Sequence, residues 1–96
     1  MSSTDVRQDV PASPAASAML DAVHPFDARG VARRFRHAAI FGALDVLAPG
    51  ETMRFMNDHD PLPLLRQIAD RYGDGFEVEY RHRSEQGVVI DFLRVE

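Results

Sequence analysis

The chain has 96 residues, a formal net charge of −4 at pH 7 and no cysteine. This length suits one small domain, and a negative balance argues against a general nucleic-acid binder, which needs a basic footprint. The absence of cysteine excludes disulfides, thiolate nucleophiles, zinc–thiolate sites and sulfur transfer through a persulfide on this sequence.

Hydropathy along the chain predicts a cytoplasmic protein with no membrane association. No apolar run approaches the roughly 18–20 residues that cross a bilayer, and the N-terminus lacks the pattern of a secretory signal. Residues 1–22 are small, polar and interrupted by proline, with too few large apolar groups to offset the entropy of ordering. We therefore predict a disordered leader over residues 1–22 and a single domain over residues 23–96.

A short strand over residues 23–30 and a helix over residues 31–47 open the predicted domain. Pro25 restricts the strand to a sheet edge or a strand start, because proline donates no hydrogen bond to a ladder. In the helix, two sets of residues follow helical spacing. A stripe predicted to be buried contains His37, Ile40, Leu44 and Leu47, and a strip of small residues contains Ala38, Ala39, Gly42 and Ala43.

Three arginines, Arg33, Arg34 and Arg36, crowd the first two turns of this helix. Their charge opposes the positive end of the helix dipole. Either nearby carboxylates or a bound anion should compensate for it.

Pro49 and Gly50 reverse the chain before a second predicted strand over residues 52–57. Alternation places Met53, Phe55 and Asn57 on one face of that strand. Asp60 as N-cap and Pro61 at the first helical position then predict a second helix. Its apolar side is formed by Leu64, Leu65, Ile68 and Tyr72, and Gly73-Asp74-Gly75 ends it.

Two further strands are predicted on either side of a turn over residues 84–87. In the first, Phe76, Val78, Tyr80 and His82 alternate with charged residues, which predicts one dry face and one wet face. The second, over residues 88–95, is apolar on both faces except at Asp91 and Arg94. That composition predicts a central position or a covered outer face.

The element order β-α-β-α-β-β predicts a two-layer α/β (α+β) sandwich, with two helices on one face of a four-stranded mixed sheet. A right-handed crossover should make the first two strands parallel. Their ends and both helix starts then meet at one corner, where open α/β folds bind ligands. We expect the candidate site there, formed by Arg29, Arg33, Arg34, His37, Asn57, Asp58, His59 and Asp60.

Each candidate also has a structural explanation. Asp60 is a helix cap, Asp58 is a surface partner of Arg29 or Arg33, and His37 is a partly buried imidazole. His59 either fixes the backbone of its loop or binds a metal ion backed by a carboxylate.

Several motifs resemble a bacterial family of uncharacterised small domains, which occur alone, in tandem, or joined to hemerythrin-like or cupin modules. The most specific is Asn57-Asp58-His59-Asp60-Pro61, preceded by Pro49-Gly50-Glu51. Asp27-Ala28-Arg29-Gly30 and Arg36-His37-Ala38-Ala39-Ile40-Phe41 match two further motifs of that family, with the usual proline replaced by Ala38. The family context implies a link to redox or nitrogen-oxide metabolism.

The layout is more distantly similar to TusA-like (SirA-like) sulfur-carrier proteins. Those proteins carry a Cys-Pro-x-Pro motif at the first strand–helix junction, where this chain has Gly30-Val31-Ala32-Arg33. Without the thiol, the resemblance implies only the fold and the location of a site.

The function we expect is a non-enzymatic module, without a cofactor, that binds a small anionic ligand or a protein partner at this corner. The alternative is a metal-binding accessory domain using His37, His59 and Asp58. A carboxylate–histidine pair doing acid–base chemistry is a third hypothesis. We expect a monomer or a weak homodimer, the latter formed through Val89, Leu93 and Val95.

Overall fold

The computed structural model describes residues 22–96 as one mixed sheet with two helices. The strands are β1 (Val23–Asp27), β2 (Thr52–Asn57), β3 (Phe76–Ser84) and β4 (Gly87–Arg94), and the α-helices are α1 (Arg33–Val46) and α2 (Leu62–Tyr72). The predicted two-layer sandwich is confirmed. The predicted leader lies outside the described residues except for Ala22.

Strand order in the sheet is β1-β2-β4-β3. As predicted, β1 is an edge strand and runs parallel to β2, and β4 is central, with antiparallel neighbours on both sides. The first strand is shorter than expected, because a 3₁₀ turn over Ala28–Gly30 follows it. The first helix accordingly begins two residues later than predicted.

The core lies between the helices and one face of the sheet. Alternation on β2 and its register with β4 place Met53 opposite Phe92 and Phe55 opposite Ile90. These four side chains are almost fully buried, and the helices cover them with Ile40, Phe41, Leu44 and Ile68. Among the described residues, no helix is long and apolar enough to cross a membrane.

The dry face predicted for β3 is found at Phe76 and in part at Tyr80, which packs half-buried against the core, but it is wrong at Val78 and His82. Val78 is 45% exposed, because β3 is an edge strand with little covering it. A bulge between Tyr80 and His82 pairs His82 with Val89, on the opposite side of the sheet from the pair formed by Tyr80 and Ile90. One extra residue reverses the face of all that follows.

Asp60 is not the N-cap of α2. The helix begins at Leu62, Pro61 holds the cap position without a side-chain hydrogen bond, and a second proline lies in the first turn. The Asp60 carboxylate instead accepts hydrogen bonds from the Tyr80 hydroxyl at 2.5 Å and from Arg83 at 2.6 Å. The carboxylate therefore binds two side chains of β3 rather than the first N–H groups of α2.

Candidate functional site

The predicted corner contains a pocket of about 190 Å³. Because β1 and β2 are parallel, their carboxyl ends lie together, and the starts of both helices close the pocket from above. Three of the predicted residues meet there, namely His37, Asn57 and His59. The full lining is Arg36, His37, Ile40, Phe55, Asn57, His59, Pro61, Leu64 and Gln67.

Asn57 carries the least expected feature of this pocket. Its side chain lies on the core face of β2 and the residue is only 5% exposed. The amide nitrogen Nδ2 donates to the backbone carbonyl of His59 at 3.0 Å. This bond fixes the orientation of the amide, because a flipped side chain would place Oδ1 against the carbonyl oxygen. The amide oxygen Oδ1 is buried and has no hydrogen-bond partner within the described residues.

An unpaired buried acceptor costs about 1–3 kcal/mol of folding free energy. Buried polar groups in native proteins are nearly always paired. Asn57 lines this pocket, and a hydrogen-bond donor from outside the fold that reached Oδ1 would remove this cost.

His59 and Asp58 form a pair at the exposed rim. Nδ1 of His59 lies 2.7 Å from Oδ1 of Asp58, and this bond holds the pKa of Asp58 below its usual range, with a smaller contribution from the charge of Arg36. The expected ion pair of Asp58 with Arg29 or Arg33 does not form. Asp58 instead orients the imidazole of His59 beside the pocket.

Arg36 and His37 form the α1 side of the pocket. Nε and Nη2 of Arg36 donate to the carbonyl of Val31 at 3.2 and 2.8 Å, which ties the start of the helix to the preceding loop. The imidazole of His37 packs against the ring of Phe41, with ring centroids 4.7 Å apart and the planes tilted by 32°. It is exposed rather than partly buried as predicted, because it lies one turn above the covered part of the helix.

The remaining predicted residues lie outside this pocket. Arg29 makes a two-pronged ion pair with Asp27, with both N–O distances 2.8 Å; the pair raises the pKa of Arg29 and lowers that of Asp27. Arg29 lines a second pocket of about 180 Å³, which shares Asn57 with the corner pocket. Arg33 and Arg34 are exposed and make no ion pair with any described residue.

Sequence reasoning missed Arg36 and Gln67 as lining residues. Both had a visible signal. Arg36 adjoins His37 in a motif shared with the small-domain family, and Gln67 follows Leu64 by three residues, on the same side of α2.

A larger pocket of about 360 Å³ lies at the other end of α1, but its polar groups are already paired. His24 Nε2 lies 3.1 Å from Oε2 of Glu51, and Oε1 of Glu51 accepts the Ala48 N–H at 2.7 Å. These bonds, the Ala48 one foremost, lower the pKa of Glu51. This pocket therefore leaves no polar group in need of a ligand, and the corner pocket is the candidate site.

The metal hypothesis gains no support from the geometry. Within residues 22–96, no three His, Asp or Glu side chains lie close enough together to hold a metal ion. His37 and His59 line the same pocket, whereas Asp58 lies outside its lining and is bonded to Nδ1 of His59.

One comparison with known proteins gives a match. A family model described as an uncharacterized conserved protein, DUF2249, matches residues 25–94. No curated protein and no solved structure matches the chain.

Proposed function

The chain belongs to DUF2249, a family of uncharacterised conserved proteins, and on that premise we propose that its corner pocket is a non-enzymatic binding site. The ligand is a small anion that also carries a hydrogen-bond donor, either free or displayed by a protein partner. The unpaired oxygen of Asn57 is the observation that carries this proposal.

Charge and shape of the lining support an anion of this kind. Arg36 places a positive charge at the mouth, His37 and His59 add imidazole rings beside it, and Ile40, Phe55 and Leu64 give an apolar wall. A volume of 190 Å³ is below the roughly 300–1,000 Å³ of pockets for drug-sized ligands. The site therefore suits a molecule of a few heavy atoms or one side chain.

Binding is favoured over catalysis by the residues that line the pocket. No serine, threonine, tyrosine or cysteine is among them, so the lining offers no hydroxyl or thiol nucleophile. The carboxylate–histidine pair beside this pocket, Asp58 with His59, lies at the exposed rim, where water screens its charge.

An NMR titration with lactate and propionate tests the proposal. The two acids have the same carbon skeleton, but only lactate has a hydroxyl that can donate to Asn57 Oδ1. We expect both to shift the resonances of His37 and His59, and lactate to bind more tightly and to shift the Asn57 side-chain amide as well. Unchanged spectra at these residues with both acids would refute the proposal.

Arg36→Gln identifies the anion contact. The change removes the charge at the pocket mouth, so we expect weaker binding of both acids, by about tenfold for loss of one charge-assisted hydrogen bond. Arg66→Gln is the matched control, because Arg66 is exposed on α2, adjoins Gln67, and is absent from the lining. Equal weakening by both substitutions would mean that only net charge matters.

The family resemblance extends the proposal to redox or nitrogen-oxide metabolism, with the domain as an accessory rather than a sulfur carrier, since the sequence has no cysteine. Nitrite is the direct probe of that extension. It is an anion without a donor, so it should bind through Arg36 and leave the Asn57 amide unshifted.

A further inference from the structure

The outer side of α1 is apolar although nothing in the described structure covers it. Phe35 is 56% exposed and Val46 is 80% exposed. At 3.6 residues per turn, Phe35, Gly42 and Val46 fall along one line of the helix, and Ala38 and Gly42 between the two large residues are also exposed. A surface helix normally presents polar residues there.

The two ends of this line differ in shape. At one end the ring of Phe35 projects from the first turn. At the other, Val46 borders the 360 Å³ pocket, together with the apolar side chains of Ala43, Leu47 and Met53. Eleven residues of helix separate them, which is about 16 Å. The same face thus offers a large aromatic side chain and an open apolar pocket at a fixed spacing.

The charges at the two ends are also complementary. The guanidinium of Arg34 lies over the Phe35 ring, 4.9 Å from its centroid, while the carboxylate of Glu51 borders the pocket. The first turn of α1 contains no acidic residue and no side-chain cap, and the last turn contains no basic residue. Each end therefore lacks the charge that its own helix dipole favours.

We propose that a second copy of this chain docks on this face, with the two α1 helices antiparallel about a twofold axis near Ala38 and Gly42. Phe35 of each copy enters the pocket beside Val46 of the other, and Arg34 approaches Glu51 and the negative end of the opposite helix. A twofold contact of this kind is self-complementary, which explains why the aromatic ring and the pocket lie on one face.

The expected dimer is weak. The contact runs along one helix of 14 residues, about 21 Å long, and so falls at the low end of specific interfaces. The small residues in the middle let the two backbones approach closely.

Sedimentation equilibrium of the full chain, from about 10 µM to about 1 mM, measures the association. Phe35→Ala removes the inserted ring, and Gly42→Leu fills the point of closest approach. No atom lies within 4 Å of a Cβ added at Gly42, and the residue is exposed, so we expect the monomer to accommodate the leucine. We expect both substitutions to weaken the dimer by about tenfold or more, as loss of a central contact does.

Leu62→Ala is the matched control, because Leu62 is 53% exposed on the other helix. It should leave association unchanged. Circular dichroism melting of each variant at low concentration reports whether the monomer stays folded.

Charge reversal gives a second readout that a purely structural role would not produce. Arg34→Glu should weaken the dimer yet leave the melting temperature of the dilute monomer unchanged or higher, because a carboxylate suits the first turn of a helix. Arg66→Glu, with the same charge change on α2, should leave the dimer intact.

Orientation is tested by cross-linking, since the chain has no cysteine of its own. Chains with Ala38→Cys and chains with Gly42→Cys are mixed and oxidised; an antiparallel pair predicts mainly the mixed cross-link, and a parallel pair mainly the two like ones. Any of three results would overturn the proposal. The chain stays monomeric at about 1 mM, its association is unaffected by Phe35→Ala and Gly42→Leu, or the dimer is lost only with Val95→Ser on the outer sheet face.

Discussion

A single amide, that of Asn57, connects the fold of this protein with its candidate site. The alternation of β2 turns it toward the core with Met53 and Phe55, and its Nδ2 holds the loop that carries His59. The same burial isolates its oxygen. Buried polar groups in native proteins are nearly always paired, and an exception calls for an explanation, which is why this residue carries more weight than the more numerous charges around it.

Asn57→Asp should destabilise the protein severely at neutral pH. The substitution keeps the shape but places a buried carboxylate against the carbonyl of His59, where Nδ2 now donates at 3.0 Å. We expect a loss of roughly 2–4 kcal/mol in the free energy of unfolding, in the range for uncompensated buried charge. Urea unfolding measures it, and part of the loss should be recovered at low pH, where the carboxyl group is neutral. Asn57→Leu, which adds no charge, should be much milder.

Gly87 is a second position at which a small substitution should strongly affect stability. It begins β4 with φ of +152°, and a Cβ added there would lie 2.4 Å from the backbone oxygen of Asn57. Gly87→Ala should cost roughly 2–4 kcal/mol, because backbone strain and a backbone clash combine.

Gly30→Ala is the control for that prediction, since a Cβ at Gly30 meets nothing within 4 Å and its φ is not positive. Comparable melting temperatures for the two alanine variants would show that strand β4 can shift away from Asn57. In that case the corner pocket is less rigid than its geometry indicates.

At the scale of elements, the two helices are joined by Tyr72 as well as by the core. Its hydroxyl donates to Oδ1 of Asp45 at 2.5 Å, and Arg71 holds the other oxygen of that carboxylate at 2.9 Å. Burial and, after it, the bond to Asp45 raise the pKa of Tyr72 to about 12. This contact fixes α2 against α1 at the end of the helices remote from the corner pocket.

The raised pKa predicts the alkaline limit of stability. A group whose pKa is higher in the folded state stabilises that state below its ordinary value of 10 and ceases to do so as the pH passes about 12. Urea unfolding midpoints should therefore fall across this interval. Tyr72→Phe should flatten the fall, whereas Tyr80→Phe should leave most of it, since the shift at Tyr80 is smaller. An unchanged slope in Tyr72→Phe would assign the loss to another group.

At the scale of the whole molecule, alternation and turn residues were enough to predict the architecture. Three features of the sheet follow directly from the sequence. The proline in β1 restricts it to an edge, the apolar composition on both faces of β4 favours a central position, and the crossover between β1 and β2 makes them parallel. The bulge in β3 could not be predicted in this way, because the extra residue, Arg81, continues the alternation of polar and apolar residues along the strand. For the same reason the face of His82 could not be predicted.

The sequence predicted that the ends of β1 and β2 meet the starts of the helices, but not which polar side chains line the pocket there. Parallel strands bring His37, Asn57 and His59 together, as the crossover rule requires. Competition among charges decided the rest: Arg29 pairs with Asp27, and Asp60 pairs with Arg83. Sequence proximity does not determine which of several carboxylates an arginine selects, so the larger polar cluster separated into independent pairs.

The strand order β1-β2-β4-β3 has a consequence for how the protein is made. Of the four described strands, β4 comes last along the chain but lies between β2 and β3 in the sheet, so β2 and β3 have no common neighbour until Gly87–Arg94 has left the ribosome. We expect the nascent chain to wait in a loose form with two open strand edges, and then to close the sheet in one late step.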